Sequence, residues 1–361
     1  MVQGSKSGKT AKARGPKSGG SPRNATSNNA GGGIKQPNIG TVPFELQQRC
    51  LNVFRDALEP DEQDSKTVQE VKGHLYNRDF GTAFGNQEYL KVYASRWSPS
   101  RALGYLQILN DLQRHFDVAA DEGESPSTKP REIVCLGGGA GAELVALAGW
   151  LSQSPSEAET QQKLDIRLLD IASWESVVEC LQRRIVIPPE LSKYASAAAK
   201  EANKAMLSEE CIKVESQQRD LLEWPEAELK TTVGGADLVT LMFTLNELYS
   251  TNMAATQHLL ARLTDSMQLG SHLLVVDSSG SYSTVSINGA EKKYPMQWLL
   301  DYTLLGSGQK KGKGDGAKWA KVESDESRWF RLSPDLRYPI ELENMRFQLH
   351  LYRRVRETPE E

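Results

Sequence analysis

The stretch Arg131 to Glu143, REIVCLGGGAGAE, constrains this chain more than any other. Ile133, Val134, Cys135 and Leu136 read as a strand covered on both faces. They run straight into Gly137, Gly138, Gly139, Ala140 and Gly141, and Ala142 to Trp150 then has helix-forming composition. A side chain at Gly137, Gly139 or Gly141 would hold the backbone away from a ligand, and positive φ at some of these positions favours glycine. The turn therefore predicts a small-molecule site against bare backbone at a helix N-terminus. An ordinary strand-to-helix turn accounts for the same pattern, so the remaining chain has to decide.

Downstream, strand and helix patterns alternate. Leu164 to Ile171 reads as a second strand carrying Asp170 near its end, where a carboxylate in a doubly wound sheet can accept hydrogen bonds from a ribose diol. Ala172 to Arg184 continues as a helix, and Pro188 to Glu210, alanine-rich from Tyr194 to Met206, reads as a helical insertion. Cys211 to Glu215 is the third strand, followed by Asp220, which can either reach an adenine amino group or cap a turn. The near-continuously apolar Ala236 to Phe243 is the fourth strand and leads into Thr244-Leu-Asn-Glu-Leu-Tyr249. The carboxyl end of that strand faces the glycine turn across the cleft, which is where a catalytic loop belongs. Asn246 and Glu247 are the candidate catalytic residues, with Tyr249 placed to stack on a base. The competing reading makes Asn246 a helix cap and Glu247 a first-turn acid. Ser271 to Asp277 is strand five, Ser278 to Ser283 a polar loop, Tyr294 to Leu305 a helix, and Arg328 to Leu332 with Asn344 to Arg353 a closing strand pair. Gln309 to Trp319, rich in glycine and lysine, suits a phosphate contact or an inert surface loop.

Ahead of the first strand lies a helical unit. Val42, Phe44, Leu46, Leu51, Val53, Phe54 and Leu58 recur at helical spacing up to Glu59-Pro60, a second helix spans about Ser65 to Asp79, and Ala102 to Phe116 forms a further amphipathic helix. Between them, YASRWSPSR sets Tyr93, Arg96, Trp97 and Arg101 close together. Rings and guanidinium groups in combination stack on bases and grip phosphates; rings at helical spacing also build cores. Asp121 to Pro130 is a polar linker.

The net charge of −4 conceals an asymmetry. Lys6, Lys9, Lys12, Arg14, Lys17, Arg23 and Lys35 occupy the first 38 residues with no acid among them, leaving 36 basic against 47 acidic side chains elsewhere, a balance of −11. This Gly-, Ser- and Asn-rich segment lacks the apolar residues a core needs, so it reads as a disordered basic arm serving as a polyanion contact, a nuclear address or a solvated tail. Its GSKSGKT is one residue short of a phosphate loop and follows no strand. The four cysteines stand apart, with no CxxC or Cys/His pairing, so neither a metal site nor a disulfide framework is expected. No run of apolar residues approaches membrane-spanning length.

Five β/α units with a terminal strand pair predict an α/β fold, the Rossmann-like sheet of class I methyltransferases: seven strands, mostly parallel. The expected division is a basic arm at 1–40, a helical unit at 41–130 and an S-adenosyl-L-methionine-dependent methyltransferase domain at 131–361. Its rival is a nicotinamide dehydrogenase, disfavoured because Asp170 lies beyond the ~20-residue offset of the dinucleotide fingerprint. At LGGGAGAE, FTLNELY, YASRWSPSR and the closing strand, the sequence resembles the fungal family of large-subunit ribosomal RNA uridine-N3 methyltransferases. The resemblance covers about Thr41 to Arg356 and implies methylation of an rRNA uridine, in free RNA or a pre-ribosomal particle, during nuclear or nucleolar ribosome assembly, with the cytoplasm as a further location. By motif position, Gly137, Gly139 and Gly141 would bind the cofactor and Asp170 its ribose, with Asp220 as a further cofactor contact. Arg96, Trp97, Arg101 and Tyr249 are the substrate-binding candidates. Strand four lacks the Asn/Asp-Pro-Pro-Tyr loop of many exocyclic-amine methyltransferases, which speaks for a ring imide. Protein or small-molecule methylation, and a cofactor-binding assembly factor without catalysis, are the alternatives.

Overall fold

In a computed structural model, residues 41–61, 64–116, 129–154, 162–287, 290–306 and 318–356 are described. The basic arm, most of the polar linker and most of the glycine- and lysine-rich stretch 309–319 lie outside them. Residues Gly40–Glu361 form one compact unit.

The chain enters through α1 (Phe44–Leu58), α2 (Ser65–Tyr76), the single turn α3 (Phe80–Ala83) and α4 (Gln87–Phe116). The two segments flanking Pro99 are therefore one helix of 30 residues rather than a motif followed by a helix. Proline removes the N–H that would bond the carbonyl four residues back. That carbonyl, on Ser95, accepts instead from the Tyr338 hydroxyl at 3.0 Å, so the helix continues without leaving a buried acceptor unpaired.

The α/β part follows as β1 (Arg131–Leu136), α5 (Ala142–Leu151), β2 (Leu164–Asp170), α6 (Glu175–Val186), the short α7 (Ala197–Ala202), β3 (Ile212–Gln218), α8 (Glu226–Val233), β4 (Leu238–Met242), α9 (Leu245–Thr251), α10 (Met253–Ser266) and β5 (His272–Ser278). A hairpin of β6 (Tyr282–Ile287) and β7 (Ala290–Pro295) leads to α11 (Met296–Leu305), and β8 (Trp319–Phe330) and β9 (Met345–Arg354) close the sheet. The strand order is β3-β2-β1-β4-β5-β9-β8. The first five are parallel, whereas β9 runs antiparallel to β5 and to β8. This is the seven-stranded, mostly parallel class I arrangement expected from the sequence. Other readings change, and β8 begins at Trp319 and not at Arg328. The hairpin occupies what read as loop and helix start, the alanine-rich insertion is helical only over Ala197–Ala202, and the stretch after β4 is a helix.

Alternation within β1 explains why both sheet faces are covered. Ile133 and Cys135 join the core beneath α1, α4, α5 and α6, while Val134 and Leu136 join the core beneath α8, α10 and α11. Because α1 and α4 share the first core with α5 and α6, the N-terminal helices and the sheet are one packed body. The chain reverses its winding between β1 and β4, and a crevice opens beyond the carboxyl ends of those strands.

Candidate active site

The glycine turn closes that crevice from below. Gly137 and Gly141 take φ of +83° and +80°, a region that side chains strain to reach. The turn is also tightly packed: a Cβ on Gly137 would fall 2.1 Å from Thr244 Oγ1, and one on Gly139 would fall 2.0 Å from Trp174 Cδ1. Glycine here thus lets Thr244 and Trp174 approach the backbone, a requirement the sequence pattern attributed to the ligand alone. Asp170, at the end of β2, accepts from the backbone N–H of Gly139 and of Ala172, both at 3.1 Å. Burial pushes its carboxyl above the usual range, against those two donors. The Trp174 indole N–H lies near the same carboxylate but makes no hydrogen bond of regular geometry. Asp220, two residues beyond β3, accepts from Leu222 N–H at 2.9 Å, so one of its oxygens closes a local turn.

The helix α4 is hooked to this turn through Ser98 Oγ, which donates to the Ala140 carbonyl at 2.7 Å. That bond brings one side of YASRWSPSR to the crevice. Trp97 packs on Tyr93 at 4.8 Å between ring centroids, and Tyr93 in turn packs on Trp174 at 5.7 Å. Arg101 donates to the Tyr93 hydroxyl at 2.8 Å and lies 5.1 Å from the Phe243 ring centroid. Arg96 points elsewhere, bonded to the Glu341 carbonyl and the Glu343 carboxylate. It ties α4 to the segment before β9 and is not brought to the site, because a helix cannot turn residues 96 and 101 to one face.

Opposite, Phe243 follows directly on β4, and its φ of 57° is left-handed although it is not glycine. Strain of this kind persists only where the surroundings impose it, and it gathers at functional sites. The following helix α9 begins at once. Thr244 is its N-cap residue without a side-chain cap bond, so the Asn246 side chain is not the cap; Glu247 does sit in the first turn. The Asn246 N–H donates to Asp277 Oδ2 at 2.9 Å. Glu247 is half-buried, with Arg78 Nη1 at 3.9 Å from its carboxylate. Tyr249 is corrected: at 3 % exposed it belongs to the core beneath α8 to α11 and does not offer a ring to a base. Leu245 and Tyr249 fall one turn apart on the buried stripe of α9, which leaves Asn246 and Glu247 on other faces.

Two acids escaped the sequence reading. Asp277, at the end of β5, is 2 % exposed and holds both the Asn246 and the Ser278 N–H. Burial raises its carboxyl to about 6, helped by the Glu247 charge and opposed by Arg101. A carboxylate ending a buried strand was the available signal. Glu143, in the first turn of α5, accepts from the Thr240 hydroxyl at 2.7 Å, and burial pushes it to about 8.

These features suit S-adenosylmethionine. A carboxylate beside a glycine turn fits a ribose diol, and the rings of Tyr93, Trp97, Trp174 and Phe243 suit a sulfonium cation. Gly137, Gly139, Gly141 and Asp170 are the residues that would hold it. No cluster of metal-ligating side chains occurs among the described residues, and no described helix is long and apolar enough to cross a membrane.

Comparison with known proteins supports S-adenosylmethionine as the cofactor. The chain is 36% identical over 332 residues, 86% of its length and 85% of the relative's, to the 25S rRNA (uridine(2843)-N(3))-methyltransferase of Saccharomyces cerevisiae. Among solved structures it is similar to the 1,6-didemethyltoxoflavin-N1-methyltransferase of Burkholderia thailandensis, with 11% identity, 79% of this chain and 89% of that chain covered, and a TM-score of 0.40. An O-methyltransferase family protein of the same organism matches with 14% identity, 76% and 64% coverage, and a TM-score of 0.32. The model of one family, described as putative SAM-dependent methyltransferase, matches residues 52–353, and the chain belongs to that family.

Proposed function

We propose that this chain methylates N3 of a uridine in large-subunit ribosomal RNA. The observation that carries the proposal is the relative that acts on such a uridine, which aligns across both the helical approach and the sheet. When bound, S-adenosylmethionine supplies an electrophilic methyl group. The chain's own residues then have three tasks. Uridine N3 is protonated at neutral pH, and its lone pair becomes available only when that proton leaves, so a base must stand nearby. Glu247 is a half-buried carboxylate just beyond the end of β4 and takes this role. Orientation falls to Asn246, whose amide presents both a donor and an acceptor to an imide edge. Trp97 and Arg101, carried to the crevice by α4, line the entry with a ring and a cation.

The glycine turn and Asp170 hold the cofactor, with Asp220 beyond β3 as a further contact. The arm at 1–40 supplies phosphate contacts or a nuclear address, and the work belongs to ribosome assembly in the nucleus or nucleolus. The test is to map methylated nucleosides of large-subunit rRNA by mass spectrometry in cells lacking the gene and after re-expression. Loss and return of one N3-methyluridine is expected; an unchanged set overturns the proposal.

A further inference from the structure

The outer edge of the sheet carries an exposed ring flanked by two cations. Trp329, near the end of the edge strand β8, is 48 % exposed, and the guanidinium carbons of Arg331 and Arg346 lie 4.7 Å and 5.7 Å from its ring centroid. Both arginines are exposed, and neither forms an ion pair with a carboxylate among the described residues. Arg346 donates its Nε–H to the Ser327 hydroxyl at 3.0 Å. Arg328, by contrast, is half-buried and paired with Asp111 at 3.1 Å and Asp325 at 3.2 Å, which ties β8 to α4. A lone exposed tryptophan needs no special account, and a cation over an exposed ring adds little to stability. A ring beside two cations without counterions is a different surface, because guanidinium groups grip phosphates while the ring stacks on a base.

Strand register relates this surface to the crevice. Ser278, at the end of β5, pairs with Phe347 of β9, and Phe347 pairs with Arg328 of β8. Since β9 is antiparallel to both, β5 and β8 run the same way, and Trp329 stands one residue nearer the carboxyl edge, with Arg331 just past the strand. Neighbouring strands are about 4.8 Å apart, so the group stands two strands, roughly 10 Å, from Ser278. The strand order puts β5, β9 and β8 to one side of β4, and β2 with Asp170 to the other. Asn246 is bonded to the β5 side, so the surface adjoins the loop assigned to the base and not the ribose end. On β9, Phe347, Leu349 and Leu351 enter the core beneath α4, while Tyr352 enters the core beneath α11, so Arg346 faces the α11 side. Two further exposed rings, Trp298 and Tyr302, stack on α11 at 5.3 Å.

We propose that Trp329, Arg331 and Arg346 form a docking patch for single-stranded RNA flanking the target uridine, one base stacking against the indole and the adjoining phosphates meeting the two guanidinium groups. This deepens the reading of rRNA as substrate and rests on it. Cations without counterions complement a polyanion, and a ring accepts the π-face of any base. The patch therefore holds the strand, and the choice of nucleotide stays with the crevice.

Binding of the full chain to a labelled single-stranded oligouridylate, followed across a salt series, tests this. Trp329→Ala is expected to weaken the complex about 5- to 100-fold, and Trp329→Phe, which keeps a ring, to retain most of the affinity. Arg331→Gln combined with Arg346→Gln should flatten the slope of log affinity against log salt by about 1.4, at about 0.7 per phosphate contact, whereas the two Lys replacements should keep the native slope. S-adenosylhomocysteine affinity should stay within about twofold throughout, since the patch is remote from the glycine turn. Crosslinking of the native protein to an oligouridylate containing 4-thiouridine needs no variant, and peptide mass spectrometry should find RNA on the segment that contains Trp329. Crosslinks confined to other segments overturn the patch. So do native affinity and slope in both the Trp329→Ala and the double Gln proteins; if re-expression still restores the N3-methyluridine, the uridine reading survives that failure. Variants that keep oligouridylate affinity and lose only co-sedimentation with pre-ribosomal particles overturn it too, by assigning the surface to a protein. An unchanged nucleoside map, with oligouridylate held at the patch as expected, would overturn the uridine reading instead.

Discussion

Asp277 Oδ2 holds the backbone N–H of Asn246 at 2.9 Å, joining the end of β5 to the first turn of α9. The bond fixes the entry of that helix, and the Asn246 side chain makes no hydrogen bond among the described residues. With Asn246 as the residue that orients the base, Asp277 would act by positioning it.

Asp277→Ala is expected to lower the methylation rate by about 10- to 100-fold through misplacement of Asn246. Affinity for S-adenosylhomocysteine should stay within about twofold, because the bond lies on the substrate side of the crevice. Single-turnover rates beside calorimetry check this. A parallel loss of both would place Asp277 in the cofactor site.

Glu247→Gln separates a base from a first-turn acid. Loss of a general base should slow methylation by about 10² to 10⁴, with partial recovery as the pH is raised and the imide ionises unaided. The exposed contact with Arg78 contributes little to stability, about 0 to 1 kcal/mol, so the melting temperature should barely move. A rate near that of the native protein excludes Glu247 as the base.

How much of this was legible beforehand depends on the range of each signal. The glycine turn, Asp170 and the apolar β4 announce themselves within a few residues, and the sheet follows from their spacing. Tyr249 misled because a helix, not a loop, follows β4, and one helical turn brings Tyr249 onto the buried face beside Leu245. Arg96 and Arg101 look equivalent in the sequence, and only the contact with Glu341 and Glu343, some 245 positions away, separates them. Asp277 and Glu143 read as a strand end and a helix acid. Their importance comes from burial against Asn246 and Thr240, and no local pattern encodes such pairings.

Glu143 gives the free protein a pH signature. Its carboxyl, near 4.5 when exposed, is pushed to about 8 by burial and by the charge of Asp170, while the Thr240 hydroxyl and Arg101 oppose the shift. The neighbouring Cys135 thiol and Tyr105 hydroxyl are held neutral by burial. Between those two values the native state binds a proton that the unfolded chain has released. Stability from this group is therefore complete at low pH and falls as pH rises toward 8. Glu143→Gln should flatten the decline of melting temperature between about pH 5 and about pH 8, by on the order of a few kcal/mol at most. Equal slopes for variant and native protein would mean that Glu143 is ionised throughout.

The arm at 1–40 is expected to raise RNA affinity without serving the chemistry, since lysines on an unfolded chain neutralise phosphates but hold no geometry. Deleting it should flatten the dependence of RNA binding on salt and leave S-adenosylhomocysteine affinity unchanged. An identical salt slope would make it an address or a solvated tail.

Gly139→Val tests the turn itself. The added Cβ would lie 2.0 Å from Trp174 Cδ1 and 2.6 Å from its Nε1, inside contact distance, so either the ring or the turn must move. If the turn moves, the Gly139 N–H leaves Asp170 and the cofactor loses both its backbone surface and its oriented carboxylate. If the ring moves, Trp174 leaves the stack it forms with Tyr93 and Phe84 and uncovers the same site. Both routes weaken S-adenosylhomocysteine, by at least about 100-fold when a charge-assisted hydrogen bond and the packing are lost together. Asp170→Ala isolates one part, an expected loss of roughly 1.5 to 3 kcal/mol. Gly139→Ala carries the same Cβ without the branches, so if the cause is contact with Trp174, combining it with Trp174→Ala should recover binding to the level of Trp174→Ala alone. Failure of that pair to recover, with Gly139→Ala alone already impaired, would assign the requirement to the ligand approaching bare backbone and not to the tryptophan.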